Sequence, residues 1–185
     1  VENFQSAEAS GAGAIVLRSL FEEQIEAAES ELQEAVAFQA DANPEARSYL
    51  PPQRIGPREY LRLVDRAKKA VQIPVVASLN CAAPGSWSEY ARQLAEAGAD
   101  ALEVNIYAVG ADPAVSGEDL EREYLEIVRD IRAAVKIPIA LKLSPFFTSF
   151  AHAARKFDAA GVDALVLFNR FLQPDIDLDR MALHS

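Results

Sequence analysis

The chain alternates between two spacings of apolar residues. Short runs rich in Val, Ile and Leu lie at 14–19, 74–80, 101–107, 138–144 and 164–169. Runs of that kind are the mark of strands covered on both faces, hence of a parallel sheet. Between them apolar residues recur at helical spacing over 22–38, 57–71, 86–97, 117–135 and 148–160. Pro57 and Ser116 are good helix-opening residues, and Gly11, Gly98 and Gly161 fall where helices end. The dipeptide Ile-Pro at 73–74 and 137–138 starts a strand where a missing N–H does no harm.

The pattern also repeats. AVQIPVVASLN (70–80) resembles AVKIPIALKLS (134–144), and AEAGADALEVNIY (95–107) resembles DAAGVDALVLFNR (158–170). A third copy of the second phrase, EASGAGAIVLRSL, stands at 8–20. Strict strand–helix alternation implies right-handed crossovers and either a (β/α)8 barrel or a doubly wound sheet. The strands end in polar residues, namely Arg18 and Ser19, Asn80, Asn105, Lys142 with Ser144, and Asn169. In a parallel array those ends share one pole, where barrel enzymes place their sites. No G-x-G-x-x-G follows the first strand, so a dinucleotide fold is not favoured. The expectation is one partial (β/α)8 TIM-barrel domain over 1–185, with about five of eight strand–helix units. A loop insertion near 41–56 is expected to cover the site from one side. The opening residues read as the end of a helix and the close, LHS, lacks an obvious closing element. Both ends are therefore expected to be cuts.

Composition narrows the function classes. The chain has 185 residues, half of them hydrophobic, enough for one packed domain. A net charge of −10 argues against nucleic acid as a partner. The one basic cluster, Arg62, Arg66, Lys68 and Lys69, reads as a solvated helix face. Its single cysteine, Cys81, suits a reducing cytoplasm and reads as a small buried hydrophobe. No apolar run is long enough to cross a membrane. His152 and His184 lack metal-ligand spacing and read as surface or helix residues, and Trp87 reads as a packing anchor. Asp100 and Asp163 precede strands at the opposite pole, which favours a structural role.

Lys142 is the anomaly, a lysine in the middle of an apolar strand, and buried ammonium groups need a partner. Period-two alternation puts Ala140, Lys142 and Ser144 on one face. It does the same for Ala101, Glu103 and Asn105, and for Val76, Ser78 and Asn80. Since the polar residues gather on that face, it is expected to line the barrel, with Glu103 the partner that keeps Lys142 charged. A structural ion pair without a ligand is the bland alternative. Asn80, Asn105 and Asn169 present amide donors and acceptors, which suit the edge of a flat heterocycle.

The phrases ASLNCAAPGSW, EAGADALEVNIY, IPIALKLSPFF and AAGVDALVLFNR resemble the dihydroorotate dehydrogenase family, and most closely its bacterial dihydroorotate dehydrogenase-like branch. Members are flavin mononucleotide (FMN) enzymes on a (β/α)8 barrel. The resemblance implies a CH–CH oxidoreductase acting on dihydroorotate or a related small cyclic acid, in pyrimidine biosynthesis. It implies Lys142 as a catalytic cation beside FMN, with Arg18, Asn80 and Asn105 near the cofactor. Asn105 and Asn169 are implied to contact the small-molecule substrate. A homodimer is compatible with the resemblance, and the electron acceptor is left open. Where the family carries its proton-abstracting Cys or Ser, this chain has Ala108, and the family's next asparagine is Gly110. Tyr107 and Ser116 are the replacement base candidates. The serine after the later asparagine is Arg170, and the substrate-loop motif is only echoed by RSYLPPQ (47–53). The family's glycine-rich phosphate grip belongs to later strands, so this chain alone is expected to hold flavin poorly. Two other classes stand beside this one. A Schiff-base lyase or aldolase would use Lys142 as a nucleophile, and a truncated barrel could be a non-catalytic scaffold.

Overall fold

The structure is a computed structural model. It describes residues 2–21, 56–81, 87–107, 110–169, 175–177 and 182–184. The expected helix at 22–38 and all but the last residue of the expected 41–56 insertion lie outside them, as does Ala108.

In chain order the elements are α1 (Glu2–Ala9), β1 (Ile15–Val16), β2 (Leu20–Phe21), α2 (Pro57–Ala70), β3 (Val75–Cys81), α3 (Trp87–Glu96) and β4 (Ala101–Ile106). Then follow α4 (Gly117–Ala134), β5 (Ile139–Leu143), α5 (Phe150–Ala159), β6 (Ala164–Leu167), β7 (Asp175–Asp177) and β8 (Ala182–His184). The main sheet runs β1-β3-β4-β5-β6, all parallel, with β2 also on β3. It curls into a half-barrel alternating with helices, a partial (β/α)8 barrel. The sequence expectation of one first strand over 14–19 needs correction: β1 and β2 are two short pieces on either side of a break. The close of the chain also differs from expectation, since β7 and β8 form an antiparallel hairpin.

One face of the sheet carries the core. Val75, Ala77, Leu79 and Cys81 on β3, Leu102, Val104 and Ile106 on β4, and Ile139, Leu141 and Leu143 on β5 are buried against the helices. The helices answer at helical spacing, with Tyr60, Val64 and Ala67 from α2, Trp87 and Leu94 from α3, and Val128 and Ile131 from α4. Helix α4 opens on a capping box in which the Ser116 hydroxyl accepts from the Asp119 N–H and Asp119 accepts from the Ser116 N–H. Val16, Leu167 and Phe168, at the two margins of the sheet, are 56%, 50% and 44% exposed.

The repeat seen in the sequence is a repeat of clamps. The Asp100 carboxylate accepts the Val75 N–H at 2.7 Å and pairs with Lys68 at 2.7 Å. One repeat later Asp163 accepts the Ile139 N–H at 2.8 Å and pairs with Arg132 at 3.0 Å. Lys68 is thus a clamp residue, not part of a solvated basic face, while Arg62, Arg66 and Lys69 are exposed. Gly98 and Gly161 take φ of +98° and +96°, the left-handed turn that brings the chain from helix to clamp. At Gly161 a Cβ would also lie 3.0 Å from the Arg132 side chain.

Burial alone would raise the Asp100 carboxyl, but the hydrogen bonds from Lys68 and Val75 outweigh it and hold the group below its ordinary value. A depressed carboxyl stabilises the fold above its unfolded value, and that contribution fades as pH falls through the folded one. Replacing Asp100 by Ala should therefore cost about 1–2 kcal/mol at neutral pH. Urea titrations at pH 7 and pH 3 should show the gap between variant and parent closing in acid. A gap of the same size at both pH values would contradict the clamp.

Candidate functional site

The opposite face of the sheet is polar, and strand register arranges it in rows. Ser78 lies beside Glu103, and Glu103 beside Ala140. One row nearer the C-terminal pole, Asn80, Asn105 and Lys142 stand side by side, with Val166 next in line. The register neighbour of Lys142 is thus Asn105, not Glu103. The lysine leans diagonally back one row, and its Nζ sits 3.6 Å from Glu103 Oε1. Diagonal neighbours across a strand pair lie within reach of a long side chain.

A line of hydrogen bonds supports that carboxylate. The Ser78 hydroxyl donates to Glu103 Oε1 at 2.8 Å, and the Ser19 and Ser78 hydroxyls are 2.7 Å apart. Ser78 has one hydroxyl proton, already given to Glu103, so Ser19 is the donor between the two serines. Ser78 is fully buried and Glu103 nearly so, while the Lys142 side chain is 28% exposed.

Above the lysine row, Asn169 donates its side-chain amide to Asn105 Oδ1, and its backbone N–H goes to the Leu143 carbonyl. The two amides therefore lock one another across the end of β5, which lies between β4 and β6. Asn80 is half-buried beside Asn105. Arg18 is exposed in the break between β1 and β2. Tyr107 continues the inner-face column of β4 to the mouth of the barrel. Ser116 stands apart from this group: it is exposed, and its hydroxyl caps α4 while bonded to Asp119. Among the described residues no group of His, Cys, Asp and Glu is placed to hold a metal ion.

Tyr60 was not identifiable from the sequence as part of this site. The break between β1 and β2 lies opposite Ser78 on β3. The Tyr60 hydroxyl fills the gap, accepting from the Ser78 N–H at 3.0 Å and donating to its carbonyl at 3.1 Å. Burial, above all, pushes this phenol up to about 12, so it stays protonated and can donate. The only sequence signal was its place on the apolar stripe of α2, which predicts burial but not the hydrogen bonds.

A cavity of about 430 Å³ opens beyond Tyr107 and Ser144, between the start of α4 and the turn before α5. Lys142 does not line it, so this hollow and the polar rows are neighbours at the same pole, not one site.

Fold and site together define a half-barrel of the (β/α)8 kind with a paired lysine and an amide row at its C-terminal pole. Within that class the chain is similar in sequence to dihydroorotate dehydrogenases. It is 34% identical over 125 residues to the dihydroorotate dehydrogenase B (NAD(+)) catalytic subunit of Methanothermobacter thermautotrophicus, a match covering 66% of this chain and 39% of the relative. It is 31% identical to the corresponding subunit of Methanosarcina acetivorans, covering 65% and 39%. The dihydroorotate dehydrogenase A (fumarate) of Lacticaseibacillus paracasei matches at 30%, covering 57% and 37%. The matches thus span about two fifths of these relatives' length. No protein-family model matches the chain. Among solved structures, a Pseudomonas aeruginosa protein assigned as a dihydrodipicolinate synthetase superposes with a TM-score of 0.54 at 18% identity, covering 90% of this chain and 47% of that one. A Burkholderia cenocepacia protein assigned as a phosphonomutase gives 0.53 at 16%, covering 89% and 63%. At such identities the likeness is one of fold alone.

The lysine–carboxylate contact has a direct thermodynamic test. In a double-mutant cycle with Lys142→Met and Glu103→Gln, the double variant should be less destabilised than the two singles added together. The expected coupling is about 0.5–3 kcal/mol by urea unfolding, since each single change leaves the other charge unpaired in a part-buried place. Additive losses would show that the pair is not coupled.

Proposed function

We propose that this chain carries the lysine-bearing part of an FMN site in an oxidoreductase of the dihydroorotate dehydrogenase type. The substrate would be dihydroorotate or a related small cyclic acid. The single observation that carries the reading is Lys142, a half-buried cation held 3.6 Å from Glu103 in the same row as Asn80 and Asn105. The donor set fits the ring end of a flavin: one fixed positive charge, flanked by amides that can meet a heterocycle's edge. When bound, FMN would accept the electrons that a CH–CH bond gives up.

The chain's own residues then divide the remaining work. Lys142 supplies positive charge where negative charge develops, and in a partly water-excluded cleft that charge is worth more than in bulk water. Glu103 and Ser78 hold the ammonium in place, as positioning residues. Arg18 and Asn80 face the cofactor side, and Asn105 with Asn169 orient the substrate. Tyr107, at the mouth, is better placed than Ser116 to handle a proton, because the Ser116 hydroxyl is committed to its helix cap. On this reading the protein works in the reducing cytoplasm, where the buried Cys81 stays a thiol.

The ion pair with Glu103 favours this role for Lys142 over that of a nucleophile, because it holds the side-chain nitrogen at a fixed place against a carboxylate instead of leaving it free to attack. The product of the complete gene should purify with flavin absorption bands that dihydroorotate bleaches in the absence of oxygen. Lys142→Met should retain the flavin and slow bleaching by about 100-fold. A colourless protein that cannot be reconstituted with FMN would sink the proposal; so would covalent trapping of a carbonyl compound on Lys142 by borohydride.

A further inference from the structure

The 430 Å³ cavity beside the polar rows has a chemistry of its own. Four of its ten lining residues are aromatic, Tyr107, Tyr124, Phe146 and Phe147, in a chain whose aromatic content is 8%. Among the described residues no lysine or arginine lines it, and Glu121 is the one charged side chain on its wall. Gly117, the first residue of α4, also lines it, and a helix start would ordinarily draw an anion. Here that role is taken: Asp119 caps the helix, and the Ser116 hydroxyl, followed by Arg122, holds its carboxyl down at about 2. An anion in the cavity would meet the Glu121 carboxylate. Aromatic walls with a carboxylate among them, and no basic side chain among the described lining residues, are what a cation seeks, through the negative faces of the rings and a single ion contact. Glu121 is 22% exposed and bonded to Lys156 through Oε2 at 2.9 Å, and a carboxylate can accept from more than one donor. The rim residue Phe146 is 63% exposed, so a ring already stands at the entrance where an incoming ammonium would pass.

We propose that this cavity binds an organic cation bearing a quaternary or primary ammonium group. The volume falls within the usual range of ligand pockets and leaves room for a chain attached to the ammonium. The proposal does not require the flavin reading: Tyr107 is common to both, but Lys142 takes no part in the cavity.

Choline and its uncharged isostere 3,3-dimethylbutan-1-ol separate cation binding from simple apolar filling. Isothermal titration in phosphate buffer should show saturable choline binding, with the isostere about tenfold weaker or worse. Glu121→Gln and Phe146→Ala should each weaken choline severalfold while the thermal unfolding midpoint stays near that of the parent. Lys142→Met should leave choline binding unchanged, which keeps this outcome apart from the fate of the flavin site. Equal affinity for choline and the isostere would overturn the proposal, as would tighter binding of benzoate. Absence of saturable choline binding below about 50 mM would overturn it too.

Discussion

Register is the constraint on which the site depends, and it is held at the strand starts by carboxylates. Val75 and Ile139 each follow a proline, and each gives its N–H to an aspartate that arrives just before the next strand, Asp100 or Asp163. The cation beside each aspartate comes from the helix preceding the clamped strand, Lys68 from α2 and Arg132 from α4. One clamp therefore ties a helix, its following strand and the next strand together at the pole opposite the site. A slip of one residue would turn every inner-face side chain outward. Lys142 would then point into the apolar layer against the helices that Leu141 and Leu143 now fill.

With register secured, the polar face becomes a matter of electrostatics. A lysine and a glutamate fully enclosed in a dry core rarely gain stability from one another, because desolvation offsets their attraction. The half-barrel softens that penalty by leaving the lysine 28% exposed while Glu103 is nearly covered. Glu103 in turn is not left to Lys142 alone, since Ser78 hydrogen-bonds the same oxygen. The break in the first strand serves this arrangement. It lets Ser19 reach Ser78, and it gives Tyr60 the backbone groups of Ser78 to bind. A continuous ladder there would have left no place for the Tyr60 hydroxyl.

Much of this was legible in the residues. The repeat located four of the five strand positions to within a residue or two, because parallel strands buried by helices need long apolar runs that few other structures tolerate. Period-two alternation assigned Ser78, Asn80, Glu103, Asn105 and Lys142 to one face for the same geometric reason. What stayed hidden depends on partners far apart in sequence. Lys68 looked like one basic residue among four, and only Asp100, 32 positions away, sets it apart. Tyr60 looked like core, and its bonds exist only because the strand opposite is broken. The β7–β8 hairpin carries too few apolar residues to announce itself. The aromatic cavity draws on β4, α4 and the turn before α5, so no single stretch of sequence contains its pattern.

The pairing of Lys142 links these strands of reasoning. A carboxylate lies one row below the ammonium, 3.6 Å away, and a buried serine fixes the position of that carboxylate. A nucleophilic amine has to leave such a partner before it can attack a carbonyl. A paired ammonium instead offers positive charge at a fixed place, which is what steadying negative charge in a bound ring asks of it. The same carboxylate that makes the lysine tolerable in a strand thereby bears on the kind of chemistry the proposed site can support.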